Sequence, residues 1–252
     1  MVRSAMKRDP VFDLDDVRLR AALADKVRAA SALLSDIARK FEPAALASSL
    51  GAEDMVLTDL IARHAQKIEI FTLDTGRLHA ETYRLLQQLS DRYEQRIRVV
   101  YPNGEALERL VAAHGINGFF NSIDSRKACC QARKVEPLGR ALAGKHAWIT
   151  GLRREQAVTR VSLQLQEHDA AHGLEKFNPL VDWSEREVWA YLRVNGVPYN
   201  ALHDRGFPSI GCEPCTRAIT PGEDVRAGRW WWEQPTGREC GLHPAQRDQG
   251  AG

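Results

Sequence analysis

Apolar residues Leu19, Leu23, Val27, Ala30, Leu33, Leu34, Ile37 and Phe41 recur at helical spacing, which predicts an amphipathic helix over 17–41 that Pro43 brings to an end. The pattern then changes to short, continuous apolar runs. Residues 44–50 read as a buried strand, 68–73 as a second, 97–101 as a third and 148–151 as the end of a fourth. Between these runs helical spacing returns: Val56, Leu57, Leu60 and Ile61, then 79–93, 105–114 and 135–142. Ser184 and Glu187 carry the capping-box spacing and open a further helix through Val188, Trp189, Tyr191 and Leu192. Strands alternating with helices imply an α/β fold, a mostly parallel sheet with helices on both faces. Ligands of such sheets sit at the carboxyl ends of the strands. From Gly206 onward glycine, proline, arginine and tryptophan dominate and periodicity fades. The expected organisation is an α/β domain over 1–205 and an irregular C-terminal segment over 206–252.

Composition narrows the partners. A chain of 252 residues has room for one large α/β domain with an appendage. A net charge of +2 gives no whole-molecule field towards nucleic acid or a membrane surface, so anion binding must come from a local cluster. No run approaches the ~20 apolar residues of a membrane span, and the charged stretch 1–16 lacks the apolar core of a secretory signal. The expected compartment is the cytoplasm, where thiols stay reduced. Five cysteines there suggest metal ligands or catalysts before disulfides.

Four of them fall in two pairs. Cys129 and Cys130 are adjacent, and Cys212 and Cys215 form a C-x-x-C whose Pro214 favours a tight turn. Two thiol pairs are the ligand count of a tetrahedral zinc or a [4Fe–4S] cluster, with buried, unligated thiols as the plainer alternative. Adjacency favours the cluster over zinc, whose ligands usually stand two to four residues apart. Cys240 stands apart between Arg238 and His243, where positive charge favours the nucleophilic thiolate; alone, it could equally be an idle exposed thiol.

Three small-residue loops follow predicted strands: Ser48 to Asp54, Leu73 to Arg77, and Thr150 to Arg154. Each could offer backbone N–H groups to an anion, and side by side they point to a nucleotide site. Basic residues flank both thiol pairs: Arg126, Lys127, Arg133 and Lys134 near the first, Arg217, Arg226 and Arg229 after the second. They suit neutralisation of an anionic metal group and its ligand, or simply a solvated face. The run Trp230-Trp231-Trp232 reads as a lid or interface element, or as packing of the tail.

Together these residues resemble the assimilatory sulfonucleotide reductases, in their cluster-containing adenylyl-sulfate (APS) branch. The motifs that carry the likeness are Ser49-Leu50-Gly51-Ala52-Glu53-Asp54, Leu73-Asp74-Thr75-Gly76-Arg77, Cys129-Cys130-Gln131-Ala132-Arg133-Lys134, Ser209-Ile210-Gly211-Cys212-Glu213-Pro214-Cys215, Gly228-Arg229-Trp230-Trp231-Trp232 and Glu239-Cys240-Gly241-Leu242-His243. Leu50 stands where the family more often has Phe. The resemblance implies a fold like the adenine nucleotide α-hydrolases and a [4Fe–4S] cluster on Cys129, Cys130, Cys212 and Cys215. It makes Cys240 the nucleophile, on a mobile tail, passing through an S-sulfocysteine on the way to sulfite and AMP. It places Ser49, Gly51, Leu73, Thr75, Arg77, Lys134, Gly151, Arg160, Arg226, Arg229 and His243 around the substrate. Thioredoxin, or a glutaredoxin-like protein, is the implied reductant, in the sulfate assimilation that feeds cysteine biosynthesis, and a homo-oligomer is expected.

Rival readings are fewer. The PAPS reductases of this family generally lack the two cysteine pairs. An ATP pyrophosphatase would carry an S-G-G-x-D-S loop in place of residues 49–54, and a zinc module for nucleic acid would carry basic–aromatic strands that are absent here.

Overall fold

The computed structural model describes residues 17–94, 96–156 and 160–234. Helix α1 (Val17–Lys40) leads into β1 (Ala44–Ser48), α2 (Ala52–His64), β2 (Glu69–Leu73), α3 (Ala80–Arg92), β3 (Ile97–Val100) and α4 (Gly104–His114). Then come α5 (Ile123–Cys130), a π-helical turn over Gln131–Val135, α6 (Glu136–Leu142), β4 (Ala147–Ile149), β5 (Gln166–Asp169), β6 (Leu174–Phe177) and α7 (Glu185–Val194). The strands form one sheet in the order β3-β2-β1-β4-β6-β5, parallel except for β5.

Alternation along each buried strand separates two cores, as the pleat requires. Ala44 and Leu46 of β1, Ile70 of β2, and Ala147 and Ile149 of β4 pack with residues of α1, α2, α3 and α7. Ala45, Phe71 and Trp148 face the other way, onto Leu138, Ala141 and Leu142 of α6. Because both faces are covered, the strands read as unbroken apolar runs. A buried carboxylate locks the first layer: Asp59 on α2 accepts from the hydroxyls of Tyr93 (2.8 Å) and Tyr191 (2.7 Å) and pairs with Arg63 at 2.8 Å. The capping box of α7 forms as expected, and Lys26 of α1 binds its Glu187 at 2.6 Å.

Two features depart from the sequence expectation. Strand β5 forms the edge beside β6 and carries charged and polar residues instead of an apolar pattern, with Lys176 of β6 paired to its Glu167 at 2.7 Å. Helix α5 and the π-helical turn replace what the sequence left as connection before α6. Among the described residues no helix is long and apolar enough to cross a membrane.

Candidate active site at the carboxyl edge of the sheet

The chain runs outward from β1 through β2 to β3, then returns to place β4 on the other side of β1. That reversal opens a crevice at the carboxyl ends of β1 and β4, where doubly wound sheets bind ligands. A cavity of about 500 Å³ fills it, walled by the loops after β1, β2 and β4 and by residues 208–212 and 225–230 of the C-terminal segment. Ser49, Gly51, Leu73, Thr75, Lys134, Gly151, Arg160, Arg226 and Arg229 all line it.

The loop after β1 meets the N-terminus of α2, whose exposed N–H groups suit an anion. Two acids sit in that first turn and would oppose one, but both are engaged. Glu53 pairs with Arg153 at 2.8 Å. Asp54 accepts from the Ser49 amide (2.6 Å) and hydroxyl (2.7 Å) and from the Gly151 amide, so it fastens the first loop to the one after β4. A Cβ on Gly151 would collide with Asp54 Oδ1, which is why that residue must be glycine. Among the described residues only Leu50 (φ 61°) and Trp230 (φ 43°) are non-glycine residues with left-handed backbone. Both stand at this site, where strain is commonly stored.

Burial, partly offset by Ser49, pushes the Asp54 carboxyl up to about 6. A raised carboxyl contributes stability that is complete below its unfolded value and is lost as pH rises through the folded one. Asp54→Asn cannot titrate. Between about pH 4 and pH 7 the wild type is therefore expected to lose up to about 3 kcal/mol of stability relative to the variant. Chemical denaturation of both proteins across that range measures the difference, and a constant gap would contradict the assignment.

The second compartment lies behind this cavity. Cys129, Cys130, Cys212 and Cys215 line one small space of about 20 Å³, with Phe119, Pro214 and Trp230 in its walls and Arg77, Arg126, Arg133 and Lys134 around it. The π-helical turn begins directly after Cys130, so the adjacent cysteines sit at a change of helical pitch, a feature frequent at functional sites. The Thr75 hydroxyl bonds Cys212 Sγ at 3.2 Å, and the Glu213 amide donates to the Arg77 carbonyl at 2.8 Å. Burial pushes the Cys212 thiol up, but Lys134, the Thr75 hydroxyl, Arg229 and Arg133 outweigh it and bring it below the ordinary value. Burial and the nearby Cys212 push Cys215 up to about 12. The buried Nε of Arg133 has no hydrogen-bond partner. Four thiols in one cation-lined space form a donor set suited to a thiophilic metal group. Among the described residues, however, no three Cys, His, Asp or Glu side chains stand at the spacing of a site for one ion.

Lys134, Cys212 and Trp230 belong to the walls of both spaces. Arg77 does not reach the cavity: its guanidinium lies 5.1 Å from the Phe119 ring and binds Asn117 at 3.0 Å and the Ile116 carbonyl. Cys240 and His243 lie outside the described residues. Sequence reasoning gave no role to Trp189 and His203, whose rings meet edge to face at 5.2 Å in the cavity wall. Their spacing along the chain carries no motif, and only the fold brings them to the site.

Comparison with known proteins agrees with this geometry. Residues 43–218 match the phosphoadenosine phosphosulfate reductase domain. Adenosine 5'-phosphosulfate reductase of Allochromatium vinosum is 55% identical over 237 residues, 94% of this chain and 90% of the relative. Its namesake from Burkholderia cepacia is 53% identical, over 92% of this chain and 96% of the relative. Among solved structures, a phosphoadenylyl-sulfate (PAPS) reductase from Candida auris superposes with a TM-score of 0.66 at 26% identity, covering 82% of this chain and 99% of that one. Yeast FAD synthetase, at 15% identity and a TM-score of 0.57 over 81% of this chain and 70% of its own, shares the fold. By a domain match over most of its length and relatives more than half identical to it, the chain belongs to the phosphoadenosine phosphosulfate reductase family.

Proposed function

We propose that this protein reduces adenosine 5'-phosphosulfate to sulfite and AMP, with Cys240 as nucleophile and a thioredoxin-like dithiol protein as reductant, in the cytoplasmic assimilation of sulfate into cysteine. The observation that carries the reading is the shared wall: a nucleotide-sized crevice and a four-thiol compartment meet at Lys134 and Cys212. The names of the relatives at more than half identity support the choice of substrate.

In this reading the loops after β1 and β4 and the start of α2 hold the adenylate. Lys134, Arg160, Arg226 and Arg229 face the phosphosulfate. The Cys240 thiolate attacks the sulfur atom; a sulfur–sulfur bond forms, and the sulfur–oxygen bond to the phosphate breaks with its electron pair leaving on AMP. No general acid is needed, because the phosphate is already a weak base. Charge spreads over the sulfonate oxygens, where preorganised cations away from water stabilise it most. A thiolate of the reductant then attacks Cys240 Sγ and expels sulfite. Its second thiol closes a disulfide and restores Cys240, so the dithiol supplies both electrons.

Cys129, Cys130, Cys212 and Cys215 would hold a [4Fe–4S] cluster, whose net negative charge suits the surrounding Arg77, Arg126, Arg133 and Lys134. Bound there, it supplies charge and a rigid link between the two cysteine pairs. Purified protein is expected to be brown.

Measuring sulfite release from APS and from PAPS at equal concentration tests the substrate. APS is expected to turn over at least about 100-fold faster, because the relatives at more than half identity are named for that substrate and a polar site can reject a substrate that differs by one charged group on that scale. Faster turnover of PAPS would overturn the proposal.

A further inference from the structure

Of Arg217, Arg226 and Arg229, which follow the second cysteine pair, the last two line the crevice and Arg217 lines neither it nor the thiol compartment. Arg217 stands instead at the neck of a closed loop. Thr216 and Arg229 form an antiparallel bridge, and the Arg217 amide donates to the Gly228 carbonyl at 3.0 Å. A Cβ on Gly228 would lie 2.3 Å from the Arg217 carbonyl oxygen, so the two sides of the neck approach as closely as only glycine allows. From this neck the Arg217 guanidinium reaches across the loop to Glu223, Nη2 to Oε1 at 2.7 Å and Nη1 to Oε2 at 3.1 Å.

Glu223 also gathers the far side of the loop. Its Oε2 accepts from the Thr220 amide at 2.7 Å and the Thr220 hydroxyl at 3.1 Å, and its own amide donates to the Thr220 carbonyl at 3.1 Å. The next residues form the turn that carries Arg226. Asp224 Oδ1 accepts from the Arg226 amide and the Asp224 carbonyl from the Ala227 amide, both at 2.8 Å, and the Arg229 amide donates to the Arg226 carbonyl at 2.9 Å. The bonds therefore run from the neck, through Glu223, to the turn that presents Val225 and Arg226 to the crevice.

An exposed ion pair adds little to stability, and these two side chains are 39% and 31% exposed. What two-bonded guanidinium–carboxylate geometry adds is direction. A cation stabilises an anion most when it is held in place beforehand and need not reorganise as the charge arrives.

We propose that the Arg217–Glu223 pair is a positioning device for Arg226: it holds the loop so that the Arg226 guanidinium is in place before the anionic end of the nucleotide arrives. The inference rests on the reading of Arg226 as a substrate contact given above. Neither side chain of the pair lines the thiol compartment, so metal content is left as it was.

The test is equilibrium binding of adenosine 5'-phosphate and of uncharged adenosine, with iron content recorded for each protein as purified. Arg226→Gln is expected to bind adenosine 5'-phosphate at least about tenfold more weakly, the scale of one lost charged hydrogen bond. Glu223→Gln is expected to bind it about fivefold more weakly, near the upper end for an exposed pair. Arg217→Gln breaks the pair from the other side and should repeat that result. The double variant Glu223→Gln/Arg226→Gln should match Arg226→Gln within about twofold, because positioning a side chain that is already gone has no further effect. Adenosine offers Arg226 no phosphate, so its affinity should stay within about twofold of wild type in every variant, as should iron content. Wild-type affinity for adenosine 5'-phosphate in Glu223→Gln or Arg217→Gln overturns the inference. So does an equal loss for adenosine or a loss of iron, since the pair would then be a general structural support. A further loss in the double variant also overturns it, by showing an action independent of Arg226. Wild-type affinity in Arg226→Gln overturns the substrate-contact reading itself, and this inference with it.

Discussion

Replacing Cys240 with serine is expected to lower sulfite production by at least about 10³-fold, because an alcohol near neutral pH is a far weaker nucleophile than a thiolate. Iron content, visible absorbance and nucleotide binding should be retained. The other four cysteines converge on one buried compartment, so the fifth is left for chemistry. Its neighbours are of the right kind, with Arg238 before it and His243 after it. Incubation of the wild type with APS alone should leave a sulfite-sized adduct, and peptide mass spectrometry should place it on Cys240. An adduct on another cysteine, or normal turnover by Cys240→Ser, would remove Cys240 from the reaction.

The second large effect concerns the compartment itself. Serine in place of any one of Cys129, Cys130, Cys212 or Cys215 is expected to bleach the protein and reduce activity at least about 100-fold, since removing even a group that merely orients a metal ligand typically costs about 10–100-fold. The four thiols share one small space, so each variant should behave alike. Iron assays and absorbance spectra of all four variants decide the matter. Unchanged iron in every one would refute the ligand assignment.

What could be read in the sequence follows from how each element is buried. Ala44–Ser48 and Glu69–Leu73 were legible because both faces are covered, which leaves an uninterrupted or nearly uninterrupted apolar run. Gln166–Asp169 was not, because an edge strand of Gln, Glu, His and Asp is held by cross-strand charge and backbone bonds that leave no apolar period. The two cysteine pairs were visible as a motif, but the π-helical turn that follows Cys130 was not, since no residue type encodes a local change of pitch. The three tryptophans show the same limit. Trp230 is buried and Trp231 is 40% exposed, a difference set by the backbone at Trp230 and by Arg126, a residue more than a hundred positions away. Arg77 belongs by sequence to the loop after β2, and only the fold shows its side chain stacked against Phe119 while its carbonyl accepts from the Glu213 amide.

The wall common to the two spaces makes their occupancies reciprocal. Thr75 holds Cys212 while lining the crevice, and Lys134 faces both sides. Any charge that enters one side therefore changes the free energy of filling the other, and by linkage the effect is equal in both directions. A nucleotide that is bound more tightly when the thiols are metallated must, to the same extent, protect that metal from loss.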